Sequence, residues 1–171
     1  MIYSYVATPI GSLLAARSEK GLTAIHFEKK GRPVEPRDEW TRDDGAFRDI
    51  REQLGAYFAK DLREFDLPLA PRGTTFQLEV WSALRTIRYG DTRSYAQLAR
   101  MIGRDDAVRA VGAANGANPL PIVIPCHRVM AADGSLTGYR GGLQRKRALL
   151  DFEAAGAARS DFWSHRGQLA L

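Results

Sequence analysis

The chain has 171 residues, of which 44% are hydrophobic and 26% are charged, a composition typical of one folded domain or two small ones. Its single cysteine excludes an internal disulfide, and its three histidines lack the spacing of a zinc site, so we expect no metal and no cofactor. The net charge of +5 falls entirely within residues 74–171, where 13 Lys and Arg accompany 8 Asp and Glu, which favours an acidic partner for that half.

Met1-Ile-Tyr-Ser-Tyr lacks the features of a signal peptide and no stretch approaches 18 apolar residues, so we expect a cytoplasmic protein without a membrane partner.

The N-terminal segment predicts a small sheet. Residues 2–8, 12–18 and 21–28 are short runs of β-forming residues separated by turns, which indicates an antiparallel meander. After a polar loop, apolar residues recur at helical spacing, and this helix is expected to cover the sheet: Phe47, Ile50, Leu54, Tyr57 and Phe58.

A proline-rich stretch divides the chain. Residues 66–73 carry two prolines and end in Gly73, which is typical of a linker, and the charge balance changes at the same place. We therefore predict an N-terminal sheet and helix domain in residues 1–73 and a mainly helical domain in residues 74–171. The fold class is α/β (α+β), and the second domain is expected to hold a helix-turn-helix and the cysteine.

The second domain begins with two capping-box patterns. Thr74-Thr-Phe-Gln77 and Ser94-Tyr-Ala-Gln97 both have the Ser/Thr-x-x-Gln form that opens a helix. The turn at Gly103-Arg104 then leads to a third helix from Ala107 to Asn115. Helix, short glycine-containing turn and helix are the outline of a helix-turn-helix motif.

The third helix has almost no side-chain bulk. Ala107, Ala110, Gly112 and Ala113 are small, which fits either tight packing between helices or close contact with DNA. Arg109 favours DNA, because it is the one long cationic side chain among the small ones. A slim helix with one projecting arginine can enter even the narrow minor groove, where sequence readout is degenerate.

The segment around Cys126 holds the chain's only thiol. Ile122–Ile124 is apolar and flanked by prolines, which argues against a helix and predicts a short buried strand that ends at Cys126. A lone cysteine is either a small buried hydrophobe or a nucleophile. The nucleophile is the thiolate, so an activating partner is required, and His127 is adjacent.

The C-terminal region supplies a second candidate group. Residues 129–136 predict a hairpin, and residues 137–142 form a glycine-rich loop that can be a pocket wall. A final helix is expected from Leu143 to Ala154. Glu153 lies on its apolar face, where a carboxylate needs a partner, and His127 is the candidate.

These motifs together resemble a known family. Pro125-Cys-His-Arg-Val129, preceded by Arg109-Ala-Val-Gly112 and Asn118-Pro119 and followed by Gly138-Tyr-x-Gly-Gly142, is similar to the O6-alkylguanine-DNA alkyltransferases, also called methylated-DNA-protein-cysteine methyltransferases. The match runs without gaps from about Thr75 to Glu153. The resemblance implies a DNA repair protein that flips O6-alkylguanine out of the duplex and transfers the alkyl group irreversibly to its own cysteine.

The resemblance also implies residue roles. Cys126 would accept the alkyl group, His127 would be its base through a water, and Glu153 would orient the imidazole. Tyr95 would assist departure of the guanine, and Asn118 would hold the active-site turn. The implied DNA-binding residues are Ser94, Tyr95, Arg109, Ala110, Gly112 and Ala113, with Arg109 filling the emptied stack. The implied pocket for the extruded base is formed by Pro121, Val129, Leu136, Tyr139 and Arg140.

The expected partner is double-stranded DNA containing O6-alkylguanine, bound through its minor groove. We expect a monomer in solution and leave cooperative assembly on DNA open. The alternative is a non-catalytic alkyltransferase-like protein, in which the cysteine is replaced, whereas Cys126 is present. Residues 157–171, with Trp163 and His165, lie beyond the family pattern and are expected to form a tail that packs on the domain.

Overall fold

The N-terminal half is built on a four-stranded sheet. The computed structural model describes the backbone of residues 1–169 and the side chains of residues 1–158. Strands β1 (Ile2–Thr8), β2 (Gly11–Ser18) and β3 (Gly21–Phe27) form the predicted antiparallel meander. A two-residue strand β4 (Thr41–Arg42) adds in parallel to β1, giving the order β3-β2-β1-β4. Strand β4 was not predicted, because both of its residues are exposed and show no alternation.

Helix α1 (Arg48–Phe58) follows a single 3₁₀ turn at Gly45–Phe47 and packs on β1. Its buried residues Ile50, Leu54 and Tyr57 recur at i, i+4 and i+7, the spacing that places side chains on one helical face. The predicted helix is therefore present, and it carries Tyr57 into the interior of the molecule.

The segment after α1 is bound along the sheet. The Leu22 amide donates to the Pro68 carbonyl at 2.8 Å, and the Ala70 amide donates to the Leu22 carbonyl at 2.7 Å. The segment predicted as a linker, residues 66–73, thus pairs with β3 through a single bridge between Leu69 and Leu22. Buried apolar side chains of both halves form one continuous cluster. The domain boundary at residue 73 stays a prediction.

The second half contains the predicted helix-turn-helix. Helix α2 (Thr75–Leu84) leads to a two-residue strand β5 (Arg93–Ser94), followed by helix α3 (Tyr95–Met101) and helix α4 (Val108–Gly116). Both capping boxes form as the sequence indicates, with Thr74 and Ser94 as the capping residues. Helix α2 packs on α4, where the Trp81 indole N–H donates to the Ala114 carbonyl at 2.8 Å.

Two local predictions around the cysteine are wrong. Residues 121–124 form turns instead of a strand, and Cys126–Arg128 form a 3₁₀ turn. The second error is the hairpin, because the strand β6 (Val129–Met130) pairs in parallel with the distant β5. The chain turns because Ile122 adopts a left-handed φ of 73°, a conformation that is strained for a β-branched residue and persists only when its surroundings enforce it.

The final helix α5 (Leu143–Leu169) begins at the predicted residue and continues well beyond Ala154. The side chains of Trp163 and His165 lie outside the described residues, so the prediction that this tail packs on the domain stays open. Among the described helices, none is long and apolar enough to cross a membrane.

Candidate active site

Asn118 and Asn115 hold the turn that carries Cys126. The Asn118 amide group donates to the Ile124 carbonyl at 2.8 Å, and its oxygen accepts from the Leu120 amide at 3.0 Å. The Asn115 amide group donates to the Cys126 carbonyl at 3.4 Å. These side-chain bonds add to the few backbone hydrogen bonds of the turn, such as that from the Cys126 amide to the Ile124 carbonyl at 2.8 Å. They explain how a buried segment without regular structure presents Cys126, whose residue surface is 5% exposed.

Glu153 is the centre of a buried hydrogen-bond cluster. Its Oε1 lies 2.7 Å from His127 Nε2 and accepts from Arg128 Nε at 2.8 Å. Its Oε2 accepts from an Arg128 terminal nitrogen at 2.6 Å and from the Tyr57 hydroxyl at 3.1 Å. The carboxylate that the sequence placed on an apolar face thus has its predicted partner, His127, and two others. All four residues are buried.

The cluster fixes the tautomer of His127. Burial raises the pKa of Glu153, but hydrogen bonds from Arg128 and His127 and the charge of Arg128 lower it by more, to about 2. The carboxylate is therefore ionised and can only accept. Burial lowers the pKa of His127 against the opposing effect of Glu153, so the ring is neutral at pH 7. The Nε2 atom must then carry the proton, which leaves a lone pair on Nδ1.

Nδ1 of His127 is the atom available for chemistry. It is buried and has no hydrogen-bond partner among the described side chains. An unpartnered acceptor in the interior carries a desolvation cost, and such groups call for an explanation. A neutral imidazole held by a carboxylate on one nitrogen and free on the other is the arrangement of a general base.

The Cys126 thiol is protonated in the free protein. Burial raises its pKa to about 11, against the opposing effects of the Asn118 side chain and the charges of Lys146 and Arg140. A thiolate must form when the substrate is in place, with a base to take the proton.

Lys146 and Tyr95 both bind the glycine-rich loop at Thr137. Lys146 is fully buried, and its ammonium group donates to the Thr137 carbonyl at 2.9 Å. The same carbonyl accepts from the Tyr95 hydroxyl at 3.2 Å, and the two hydroxyls of Tyr95 and Thr137 are 3.1 Å apart. The glycine-rich loop is thus attached to α3 on one side and to α5 on the other.

The predicted pocket residues differ in exposure. Pro121 and Val129 are buried, Leu136 and Tyr139 are half-buried, and Arg140 is exposed. The Tyr139 ring packs on Phe27 of β3 with a centroid distance of 5.8 Å. The pocket wall therefore rests on the N-terminal sheet.

The predicted DNA-contacting residues lie on one surface of α3 and α4. Arg109, Ala110 and Ala113 are exposed, whereas Val111, Ala114 and Asn115 on the opposite face are buried. Gly112 lies beside the Tyr95 ring, where an added Cβ would be 3.6 Å from the ring. Ser94 is the N-cap of α3 and is half-buried. Small residues on α4 thus allow close packing on its inner face and keep its outer face narrow and accessible.

Comparison with known proteins decides the family. Residues 75–155 match the family described as 6-O-methylguanine DNA methyltransferase, DNA binding domain, and residues 1–71 match 6-O-methylguanine DNA methyltransferase, ribonuclease-like domain. The chain belongs to the 6-O-methylguanine DNA methyltransferase family.

Individual relatives cover nearly the whole chain. The methylated-DNA–protein-cysteine methyltransferase of Methanosarcina acetivorans is 47% identical over 91% of this chain and 99% of its own length. The protein of the same name from Mycobacterium bovis is 51% identical over 91% of this chain and 93% of its own. The crystal structure of Mycobacterium tuberculosis OGT in complex with DNA is similar with a TM-score of 0.84 and 50% identity, covering 91% of this chain and 94% of that one.

Sequence reasoning missed several residues of this methyltransferase site, namely Tyr57, Asn115, Arg128 and Lys146. Lys146 could have been found, because it shares one face of α5 with Leu149 and Glu153, at i, i+3 and i+7. Arg128 has a weaker signal, as a charged neighbour of His127 in an apolar segment. Tyr57 is separated from Glu153 by 96 residues and has no local signal.

No metal site accompanies this arrangement in the described part of the chain. No group of three or more His, Cys, Asp or Glu side chains there is placed to hold a metal ion. The chemistry that the site offers rests on one thiol, one imidazole and one carboxylate.

Proposed function

We propose that this protein reverses DNA damage by transferring an alkyl group from O6 of guanine in duplex DNA to the sulfur of Cys126. The observation that supports this most is the buried His127–Glu153 pair at 2.7 Å beside the chain's only cysteine. The family membership and the relatives named as methylated-DNA–protein-cysteine methyltransferases point to the same reaction.

The reaction balances with the residues present. The Cys126 proton passes to Nδ1 of His127 through a water, and the sulfur attacks the alkyl carbon. The S–C bond forms as the O6–C bond breaks, and the electron pair of the O6–C bond stays on the guanine. The guanine then takes up one proton, the equivalent of the one that His127 received, so that His127 returns to its neutral form. The products are a thioether and normal guanine. Nothing in this scheme cleaves the thioether, so each molecule acts once.

Proton transfer at the moment of reaction is central to this scheme. Each unit by which the thiol pKa exceeds the pH costs ~1.4 kcal/mol for thiolate formation. With a pKa of about 11, Cys126 is almost entirely protonated at neutral pH. The His127 imidazole is neutral, held by Glu153 and free on Nδ1, so it can remove the proton from the thiol. Tyr95 assists departure of the guanine through its hydroxyl, and Asn118 holds the turn that aims the sulfur.

DNA binding is assigned to the exposed face of α4. The O6 alkyl carbon is inaccessible in a stacked duplex, so the nucleotide is flipped out at a cost of a few kcal/mol. Arg109 projects from a surface of small residues and fills the vacated space from the minor groove. Its neighbours in this contact are Ser94, Tyr95, Ala110, Gly112 and Ala113.

The extruded base is assigned to the space bounded by Pro121, Val129, Leu136, Tyr139 and Arg140. We propose O6-alkylguanine as the lesion and a monomer as the acting unit. A lesion-binding protein without transfer is not favoured, because the cysteine that such proteins lack is present here as Cys126.

The test is to locate the transferred group. The protein is incubated without any cofactor with a duplex that contains one O6-methylguanine, then digested and analysed by mass spectrometry. The peptide containing Cys126 should gain one methyl group, and the Cys126→Ser protein should gain none while still binding the duplex. An unmodified Cys126 peptide from intact, DNA-bound protein would rule out the proposed reaction.

A further inference from the structure

We propose that Tyr57, which comes from the N-terminal half, is a positioning residue for alkyl transfer: its hydroxyl holds Glu153 and thereby sets the orientation of His127. The inference rests on the proposed function. Helix α1 would then not only cover the sheet but also position the Glu153 carboxylate.

The geometry of the carboxylate supports this role. Glu153 Oε1 contacts His127 Nε2 at 2.7 Å, while Oε2 accepts from Tyr57 at 3.1 Å. Arg128 bonds to both oxygens. Arg128 is next to His127 in the chain and also donates to the Ile87 carbonyl at 2.6 Å, whereas Tyr57 is the donor that connects the carboxylate to the N-terminal half. Rotation of the carboxylate away from His127 requires breaking the Tyr57 bond as well as the bonds from Arg128.

The Tyr57 hydroxyl can only act as the donor in this bond. Burial and the nearby Glu153 charge raise the pKa of Tyr57, so the phenol stays protonated at every pH at which the protein works. An ionised carboxylate has no proton to give. The direction of the bond is therefore fixed, and the bond is charge-assisted, which makes it stronger than one between neutral groups.

The Tyr57 ring is itself held in place. It is fully buried, and four aromatic rings surround it at centroid distances of 5.0 to 6.1 Å: Phe58, Phe65, Tyr89 and Phe152. Such a cage leaves the side chain little freedom. A rigid donor on a packed helix is suited to fixing a catalytic group within a few tenths of an ångström.

Removing the Tyr57 hydroxyl should change the pKa of His127 in one direction. The charged groups that face His127 are Glu153 and Lys146 of α5 and the neighbouring Arg128. Without the Tyr57 donor, the negative charge of Glu153 is less dispersed and stabilises a protonated His127 more. The pKa of His127 should then rise. The base works only when neutral, so the acid limb of the transfer rate should move to higher pH.

The experiment compares Tyr57→Phe with Tyr89→Phe. Tyr89 lies in the same aromatic cage, and its hydroxyl makes no hydrogen bond to the described side chains, so the control removes an equivalent atom. In protein labelled with ¹⁵N in its three histidine rings, NMR titration reports the pKa of His127 directly. Single-turnover transfer at saturating methylated duplex reports the rate constant, and binding of unreacted duplex is measured separately.

We expect Tyr57→Phe to raise the pKa of His127 and to slow transfer about tenfold at neutral pH, equivalent to ~1.4 kcal/mol. DNA affinity should be unchanged, and Tyr89→Phe should match the unmodified protein in both readouts. An unchanged transfer rate overturns the proposal, and so does a slower rate with an unchanged pKa of His127 or with an equal loss in Tyr89→Phe.

A double variant tests whether Tyr57 acts through Glu153. In a Glu153→Gln background, Tyr57→Phe should cause no additional loss of rate, and a full additional loss overturns the proposal. If the unmodified protein transfers no alkyl group at all, the proposed function fails. The NMR titration still tests whether Tyr57 acts on His127.

Discussion

At the scale of single residues, the site contains a buried, protonated thiol, Cys126, and a neutral imidazole, His127, whose Nδ1 is free to accept a proton. Cys126 has a pKa raised to about 11 by burial, and Lys146 is the buried cation whose charge opposes that increase. A high thiol pKa protects the only cysteine from side reactions before a lesion is bound. In the proposed mechanism, the reaction therefore depends on the imidazole of His127 and on the charges around it.

Lys146→Met should raise the pKa of Cys126 further, because removing a nearby cation destabilises the thiolate while the apolar stem is kept. The pH dependence of Cys126 alkylation by iodoacetamide measures this pKa. In the unmodified protein the rate should increase up to about pH 11, and in Lys146→Met the increase should continue to higher pH.

Arg147→Met is the matched control, since it removes a cation from an exposed neighbouring position on the same helix. Its alkylation profile should match that of the unmodified protein. A Cys126 pKa near the ordinary 9.0 in the free protein, or equal shifts in both variants, would contradict the assigned roles of burial and Lys146.

At the scale of elements, α4 has two different faces. Val111, Ala114 and Asn115 pack inward, while Arg109 and small neighbours face outward. Sequence composition left tight packing and DNA contact as alternatives, and the structure shows that small residues occupy both faces. An exposed arginine on such a face contributes little to stability.

Arg109→Ala should leave the free energy of unfolding within about 0.5 kcal/mol of the original value. Repair of O6-methylguanine in duplex DNA should fall about tenfold or more, the equivalent of ~1.4 kcal/mol, because the flipped-out state loses its stacking substitute. Reaction with free O6-benzylguanine should be unchanged. Single-turnover rates on the two substrates measure the difference.

Arg48→Ala on α1 removes the same charge from an exposed position and serves as the control. It should weaken neither reaction. If Arg109→Ala slowed the free base and the duplex equally, the residue would act on the chemistry and not on the extruded state of the nucleotide.

How well a feature could be predicted from the sequence depends on how far apart along the chain its interacting residues lie. The capping boxes at Thr74 and Ser94 were predictable because they are complete within four residues. The His127–Glu153 pair was predictable because a buried carboxylate requires a partner. The turn at Ile122 was not, because Asn118 side-chain bonds and a left-handed backbone override an apolar strand pattern.

At the scale of the whole molecule, the N-terminal half encloses the chemistry. The Ile25 amide of β3 donates to the Pro119 carbonyl at 2.8 Å, at the start of the active-site segment. Arg145 of α5 donates to the Ile10 carbonyl at 2.8 Å, and the Tyr139 ring rests on Phe27. With Tyr57 at Glu153, these contacts make the N-terminal half a support for the segment that leads to Cys126, for the glycine-rich loop and for the His127–Glu153 pair.

In the proposed reaction each protein molecule reacts only once. Counting the lesions repaired per molecule tests this central claim most directly. Increasing amounts of O6-methylguanine duplex are added to a fixed, active-site-titrated quantity of protein, and restored guanine is measured at completion. We expect a plateau at one lesion per chain, with Cys126 fully methylated at that point. Repair that continues beyond one lesion per chain would contradict this claim.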